Sequence, residues 1–278
     1  MKTAKPNISD KNAFVWSLSR LIIFLSRHPT LRHIFFRWVI PLLPVSLRTI
    51  TLELHGFSMC LDLMEGLDYS YTEGFYDREE LEFLIEAYEN NSYFVDIGAN
   101  IGFYSLFLKH KIPQSKIIAF EPDPVNVVKL KRNIALNGYT DVAICEYALS
   151  TDNRSRQLMI NINRNRGGNS LILPQKTFNK SDTAVTVDVE CKTLFEALKE
   201  NTVERVSALK IDIEGFEYPV LKRFFEEADK DLLPKAVVME AFGQNISAAG
   251  GSPIELMILN GYKLVKHNAT NFFFQLKG

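Results

Sequence analysis

The sequence predicts an α/β fold wound around a mostly parallel sheet and closed by an antiparallel strand pair at the C-terminus. Three observations carry this expectation. From Tyr93 onward, short apolar runs alternate with amphipathic helical stretches, the pattern of right-handed βαβ crossovers. The acids Asp96, Glu121, Glu146, Asp212, Glu214 and Glu240 fall at the ends of those runs, where an open parallel sheet binds its ligands. The stretch Tyr93–Leu106 reads as a buried strand, a glycine turn and a helix start.

Taken in order, residues 1–47 are expected to form a basic amphipathic helical extension, 48–90 a β-hairpin with a connecting helix, and 91–278 the α/β domain. In the extension, Phe14, Leu18, Leu21, Ile22 and Leu25 recur at helical spacing, and His28-Pro29-Thr30 breaks the pattern. A second stripe follows in Leu31, Ile34, Phe35, Trp38, Val39 and Leu42, ended by Pro41 and Pro44. Arg48–Leu63 alternates around His55-Gly56 as a hairpin, and Arg78–Tyr88 has one apolar helical face. After the central strand come helix Phe103–His110, strand Lys116–Phe120, helix Val125–Asn137 and strand Val142–Tyr147. Between Thr151 and Val189 the alternation stops around Gly167-Gly168-Asn169-Ser170, which reads as an inserted hairpin. It resumes with helix Leu194–Glu200, strand Ala208–Ile213, helix Tyr218–Ala228, strand Ala236–Glu240 and helix Pro253–Asn260. The pair Tyr262–His267 and Phe272–Leu276 ends the chain.

At 278 residues and 46% apolar content, the chain can bury one large core. Its net charge of −1 hides an asymmetry. Residues 1–50 carry eight Lys or Arg against one acid, and the remainder carries 24 basic and 32 acidic residues. An acidic body offers no basic track for a phosphate backbone, which speaks against nucleic acid as a partner. The basic helices 11–43 suit an anionic membrane surface, and the alternative is packing on the main domain or a second subunit. The run Ala13–Ser26 is interrupted by Arg20 and is shorter than the roughly 20 apolar residues of a bilayer span. No small-residue cleavage site follows it. A cytoplasmic protein is expected, peripheral at the inner membrane face if the arm binds lipid. Cys60, Cys145 and Cys191 lack zinc-site spacing and read as free buried thiols.

The chemistry begins at Asp96-x-Gly98-x-Asn100-x-Gly102. A dinucleotide turn would read G-x-G-x-x-G, and an acid at the strand end repels a pyrophosphate. The same acid suits a cofactor with an amino group and a sulfonium, which points to S-adenosylmethionine. Glu121, 19 positions after Gly102, ends the next strand where a carboxylate can accept from ribose hydroxyls. Glu146, or the backbone at Tyr147-Ala148, is the candidate for the adenine. Asp212 and Glu214 flank Ile213 directly after an apolar strand, and Glu240 ends the next one. They are candidates for proton transfer from a hydroxyl or for binding a divalent metal. Arg164 and Arg166 are candidates for an anionic substrate group, with a solvated loop as the plainer reading. His267 near the C-terminal strands reads as structural.

The chain resembles the FkbM family of methyltransferases. FVDIGANIGFYSL, IIAFEPDPVNVVKLKRNIALNG, YALS, GGNSL, ALKIDIEGFEYPVL, ME and NFFF carry the resemblance, in order, across residues 91–276. One departure lies upstream, where the family's Gly-Tyr-Glu reads Gly74-Phe75-Tyr76-Asp77, with Glu79 two places on. The resemblance implies a seven-stranded class I methyltransferase fold, Rossmann-like, with S-adenosylmethionine at the glycine turn. It also implies O-methylation of a hydroxyl on a saccharide, glycolipid or natural-product acceptor. Asp96, Gly98, Asn100, Gly102 and Glu121 match its cofactor motifs, and Asp212 and Glu214 its acidic motif. Two other readings stay open: a non-catalytic cofactor-binding or membrane scaffold, and a nucleotide-dependent oxidoreductase that the Asp96 spacing disfavours.

Overall fold

The computed structural model describes residues 5–6, 21, 24, 34–72, 77–162, 166–171, 184–241 and 250–277. Its first sheet is small and antiparallel. β1 (Lys5–Pro6) pairs with β2 (Thr49–Leu54), and β2 pairs with β3 (Phe57–Asp62) around His55-Gly56, the expected hairpin. Of the first amphipathic stretch only Leu21 and Phe24 lie among the described residues, both exposed. The second begins as a wide π-helical turn at Phe35–Val39 and tightens to a 3-10 turn at Ile40–Leu42. Pro41 accounts for that change, because it has no N–H for a regular helix ladder. Phe35 and Ile40 are buried against the hairpin, whereas Trp38, Leu42 and Val45 are 64%, 83% and 76% exposed. The stripe therefore has two sides, one in the core and one in solvent.

A short helix α1 (Gly66–Tyr71), not expected from the sequence, and α2 (Arg78–Ala87) lead into the central strand β4 (Tyr93–Ile97). Then follow α3 (Phe103–Lys111), β5 (Lys116–Phe120), α4 (Pro124–Leu136) and β6 (Val142–Cys145). The inserted segment is the expected antiparallel pair, β8 (Arg156–Asn161) with β9 (Ala184–Val189). It is framed by two-residue strands, β7 (Ala148–Leu149) and β10 (Cys191–Lys192), that pair in parallel. The chain continues through α5 (Leu194–Glu200), β11 (Val206–Ile211), α6 (Glu217–Glu227), β12 (Ala236–Glu240) and α7 (Pro253–Leu259). It ends in β13 (Tyr262–His267) and β14 (Asn271–Leu276).

The central sheet has seven strands in the order β13-β14-β12-β11-β4-β5-β6. Only β14 runs against its neighbours, between β12 and β13, as the resemblance implied. Side chains alternate across the sheet. Phe94, Ile117, Ala119, Ala208 and Val238 face a core shared with the hairpin, α2, α3 and α4. Val95, Ile97, Ile118, Phe120, Leu209 and Ile211 face a second core under α5, α6 and α7. Full burial of one such large apolar side chain is worth about 1.5–3 kcal/mol, so both faces hold the sheet. All three cysteines are buried and free, as expected. Among the described residues no helix is long and apolar enough to cross a membrane.

Candidate active site

The strand order reverses between β4 and β11, and a cleft of about 860 Å³, measured out to its mouth, opens there at the carboxyl ends. Its floor is the turn after β4. Gly98, Asn100 and Gly102 all have positive φ, at 77°, 51° and 93°. This winding lets the chain leave the strand and enter α3 within a few residues, and it brings Gly98 directly beneath the backbone of Asp212. A Cβ built on Gly98 would lie 1.9 Å from the Asp212 carbonyl oxygen. The glycine turn and the acidic motif, 114 positions apart, are thus in van der Waals contact.

Glu121 lines the cleft. Its Oε2 accepts from the Asn100 N–H at 2.8 Å and its Oε1 from the Asp123 N–H at 3.0 Å. Burial pushes its carboxyl up to about 7 against those hydrogen bonds. Asp96 sits differently. It lies behind the turn, fully buried, with Oδ2 accepting from the Ser105 hydroxyl at 2.6 Å and the Ser105 N–H at 3.2 Å. Its Oδ1 is buried without a partner, and burial raises its pKa. Glu146 does not line the cleft; it is half-exposed and paired with Lys131 at 2.5 Å. Its neighbours Tyr147, Ala148 and Leu149 do line it, opposite Phe120.

The acidic motif forms the other wall. Asp212, Glu214 and Glu240 offer oxygen atoms that all lie within 4.8 Å of one another. Of the three, Asp212 lines the cleft itself. Burial pushes Asp212 upward, but the Lys210 ammonium, 3.0 Å from Oδ2, outweighs it and holds the carboxyl below its ordinary value. Burial and then the Asp212 charge push Glu214 up to about 8 and Glu240 up to about 10. Protonated Glu240 donates to Asp212. Glu214 holds φ at 55°, a strained value for a non-glycine residue of the kind that clusters at functional sites.

Four contributors have roles that the sequence reading did not assign. Glu217 reaches back to accept from the N–H groups of Ile213 and Gly215, at 2.9 and 3.2 Å, and so braces the acidic turn. Asp77 lines the cleft in a left-handed conformation (φ 45°) and accepts from the Tyr104 hydroxyl at 2.7 Å. It ends the Gly74-Phe75-Tyr76-Asp77 segment, whose first three residues lie outside the described ones. Lys210 was legible as a charge inside the apolar run ALKIDI, a pattern that flags a buried partner. The fourth is the 166–170 turn. Arg166 pairs with buried Asp123 at 2.9 Å and lies 3.7 Å from Glu65, so among its described contacts it anchors the turn. Arg164 lies outside the described residues. Asn169 also donates to Asp123, at 2.9 Å, and the Ser170 hydroxyl donates to the Glu214 carbonyl at 3.0 Å. The inserted hairpin thereby ties the Glu121 side of the cleft to the Glu214 side. His267 is exposed, stacks on Phe272 and does not line the cleft.

The raised carboxyls have a consequence for stability. Glu121, Glu214, Glu217 and Glu240 have an ordinary value of 4.5 and folded values of about 7, 8, 7 and 10. Between those limits the folded chain binds more protons than the unfolded one, so stability falls as pH rises. Asp212, held low, acts in the opposite sense, but its effect is confined to acid below its ordinary 3.8. The ligand-free protein is therefore expected to melt at a lower temperature at pH 8 than at pH 5.5. Thermal denaturation across that range checks it, and a rising melting temperature would contradict the assignment.

Residues 96–264 match the family described as the Methyltransferase FkbM domain. The chain belongs to the FkbM methyltransferase family. The FkbM match runs from Asp96 past Glu240, across both walls of the cleft. The chain is 37% identical over 163 residues to Methyltransferase sdnD of Sordaria araneosa, covering 50% of this chain and 62% of that protein's length. It is 24% identical over 218 residues to the 31-O-demethyl-FK506 methyltransferase FkbM of Streptomyces tacrolimicus, covering 71% of this chain and 82% of that one. Among solved structures it is similar to a precorrin-6y C5,15-methyltransferase from Geobacter metallireducens. That match has 12% identity and a TM-score of 0.42, over 71% of this chain and 84% of that one. The fold itself rests on the strand order described above.

Proposed function

We propose that this FkbM-family chain is an S-adenosylmethionine-dependent O-methyltransferase acting on a hydroxyl of a saccharide, glycolipid or natural-product acceptor. The observation that carries this reading is the contact between the Gly98 turn and Asp212, which puts a cofactor-type turn and an ionised carboxylate on adjoining walls of one cleft. The residues fit the cofactor. Glu121 keeps lone pairs facing the cleft for ribose hydroxyls, and Tyr147–Leu149 with Phe120 offer an apolar slot for a base. Asp96, with one buried oxygen unpartnered, supplies negative charge behind the turn for the cationic end. When bound, S-adenosylmethionine supplies a methyl group on a sulfonium, and its loss leaves a neutral thioether.

The chain's own task is then to orient the acceptor and accept its proton. Asp212 receives the proton of the hydroxyl, while Glu240 hydrogen-bonds to it and Glu214 and Glu217 hold the turn. Calorimetric titration with S-adenosylmethionine, S-adenosylhomocysteine and NADH tests the cofactor, with binding of the first two alone expected. Binding of NADH instead would favour an oxidoreductase. Label transfer from S-adenosylmethionine into fractionated glycans, lipids and metabolites identifies the acceptor, and no transfer into any fraction favours the scaffold reading.

The exposed face of Trp38, Leu42 and Val45, with Arg37 over the Trp38 ring at 5.8 Å, supports a resting place on an anionic membrane surface. Changing these three apolar residues to serine leaves buried Phe35 and Ile40 in place. The variant should float less with phosphatidylserine vesicles than the wild type does. Equal flotation would sink the membrane reading.

A further inference from the structure

Lys210 is placed as few lysines are. It stands within the apolar strand β11, in register with Asp96 of β4, and is buried. Its ammonium lies 3.0 Å from Asp212 Oδ2, 3.4 Å from the Gly98 carbonyl oxygen and 5.1 Å from the centre of the Tyr104 ring. Those contacts use a carboxylate, a turn carbonyl and an aromatic face at once. The groups facing it are Asp96 on β4, Tyr104 on α3, Asp77 before α2, Asp212 and Glu214 after β11, and Glu240 on β12. Three of these acids bring oxygens within 4.8 Å of one another, and the ammonium lies beside the one of them that lines the cleft, Asp212.

We infer that Lys210 is a positioning residue that serves the acidic cluster in place of a divalent cation, fixing Asp212 at the cleft wall and tying it to the Gly98 turn. The inference rests on the proposed role of Asp212 in accepting the hydroxyl proton. Burial alone would discharge the lysine, but Asp212 and Asp96 outweigh it and hold the ammonium charged. The same charge favours ionised Asp212 over the Glu214 and Glu240 carboxyls that crowd it. A tethered ammonium is always present and needs no loading, whereas a metal ion at the same acids would meet like-charge repulsion from it.

The experiment compares wild type, Lys210→Met and Lys210→Arg by Mn²⁺ titration with paramagnetic resonance detection, and by carboxyl-carbon NMR titration of Asp212. Wild type and Lys210→Arg should show no ordered Mn²⁺ at millimolar ion. Lys210→Met should gain a Mn²⁺ site, and its Asp212 midpoint should rise by about one to three pH units. A Mn²⁺ site in the wild type that disappears in Asp212→Asn would overturn the inference, as would an Asp212 midpoint unmoved in Lys210→Met. If Lys210→Met does not fold, the wild-type Mn²⁺ titration still decides: no site supports the inference and an Asp212-dependent site overturns it. Neither readout needs methyl transfer, and calorimetric S-adenosylmethionine binding by the wild type reports separately on the proposed function.

Discussion

Replacing Gly98 with alanine is expected to cost about 2–5 kcal/mol of stability and to abolish S-adenosylmethionine binding. Two penalties add at this position. An L side chain at φ 77° is strained whatever surrounds it, and the new Cβ would meet the Asp212 carbonyl at 1.9 Å. That atom is backbone held in a parallel ladder, since the Asp212 N–H donates to the Ile97 carbonyl, so it cannot swing aside. Either β11 separates from β4 or the turn rewinds, and both outcomes move Asp212. Gly138 supplies the control, with φ 69° and nothing within 4 Å of its added Cβ. Gly138→Ala should carry only the conformational cost, about 1–2 kcal/mol, and leave cofactor binding intact. Equal melting-temperature losses in the two variants would show that the contact between turn and acidic motif does not matter.

Asp212→Asn is the second large effect expected. The change keeps the shape of the side chain and removes both its charge and its ability to take a proton. S-adenosylmethionine affinity should stay within a few-fold of wild type, and methyl transfer should fall by about 10²–10⁴, the usual range for a lost general base. Binding by calorimetry and transfer by label incorporation separate the two quantities. Transfer at the wild-type rate by a folded Asp212→Asn would remove this residue from the mechanism and return attention to Glu214 and Glu240.

Much of the architecture was legible because it is periodic. The crossovers after Tyr93, the hairpin at His55-Gly56 and the inserted β8–β9 pair all follow from alternation and its interruption. α1 was not legible, because Gly66–Tyr71 is too short to show a helical period and its aromatics suggest a strand. In the site, position along a strand was a good guide to proximity and a poor guide to direction. Glu121 and Asp212 face the cleft, but Glu146, equally near a strand end, turns to Lys131 on the surface. Asp96 is one residue inside β4, so the pleat points it at α3 and Ser105 rather than into the cleft. Asp77 and the 166–170 turn reach the cleft from segments outside the main alternation. Their motifs were visible in the sequence, but which cleft groups they touch depends on the packing of α3 and the inserted hairpin.

The pairing of Asp96 with Lys210 also bears on how the sheet finds its alignment. Both side chains lie on the α3 face, on adjacent strands and at matched positions. A slip of β11 by one residue would carry every one of its side chains through the sheet. Lys210 would then enter the apolar layer that includes Val95, Ile97, Ile118 and Phe224. Asp96, already short of one partner, would lose its nearest positive charge as well. Apolar strands such as β4 and β11 discriminate weakly among registers, since one valine or isoleucine packs much like another. A single buried pair of opposite charges supplies the discrimination they lack, and the chain can fold around a centre that admits only one alignment.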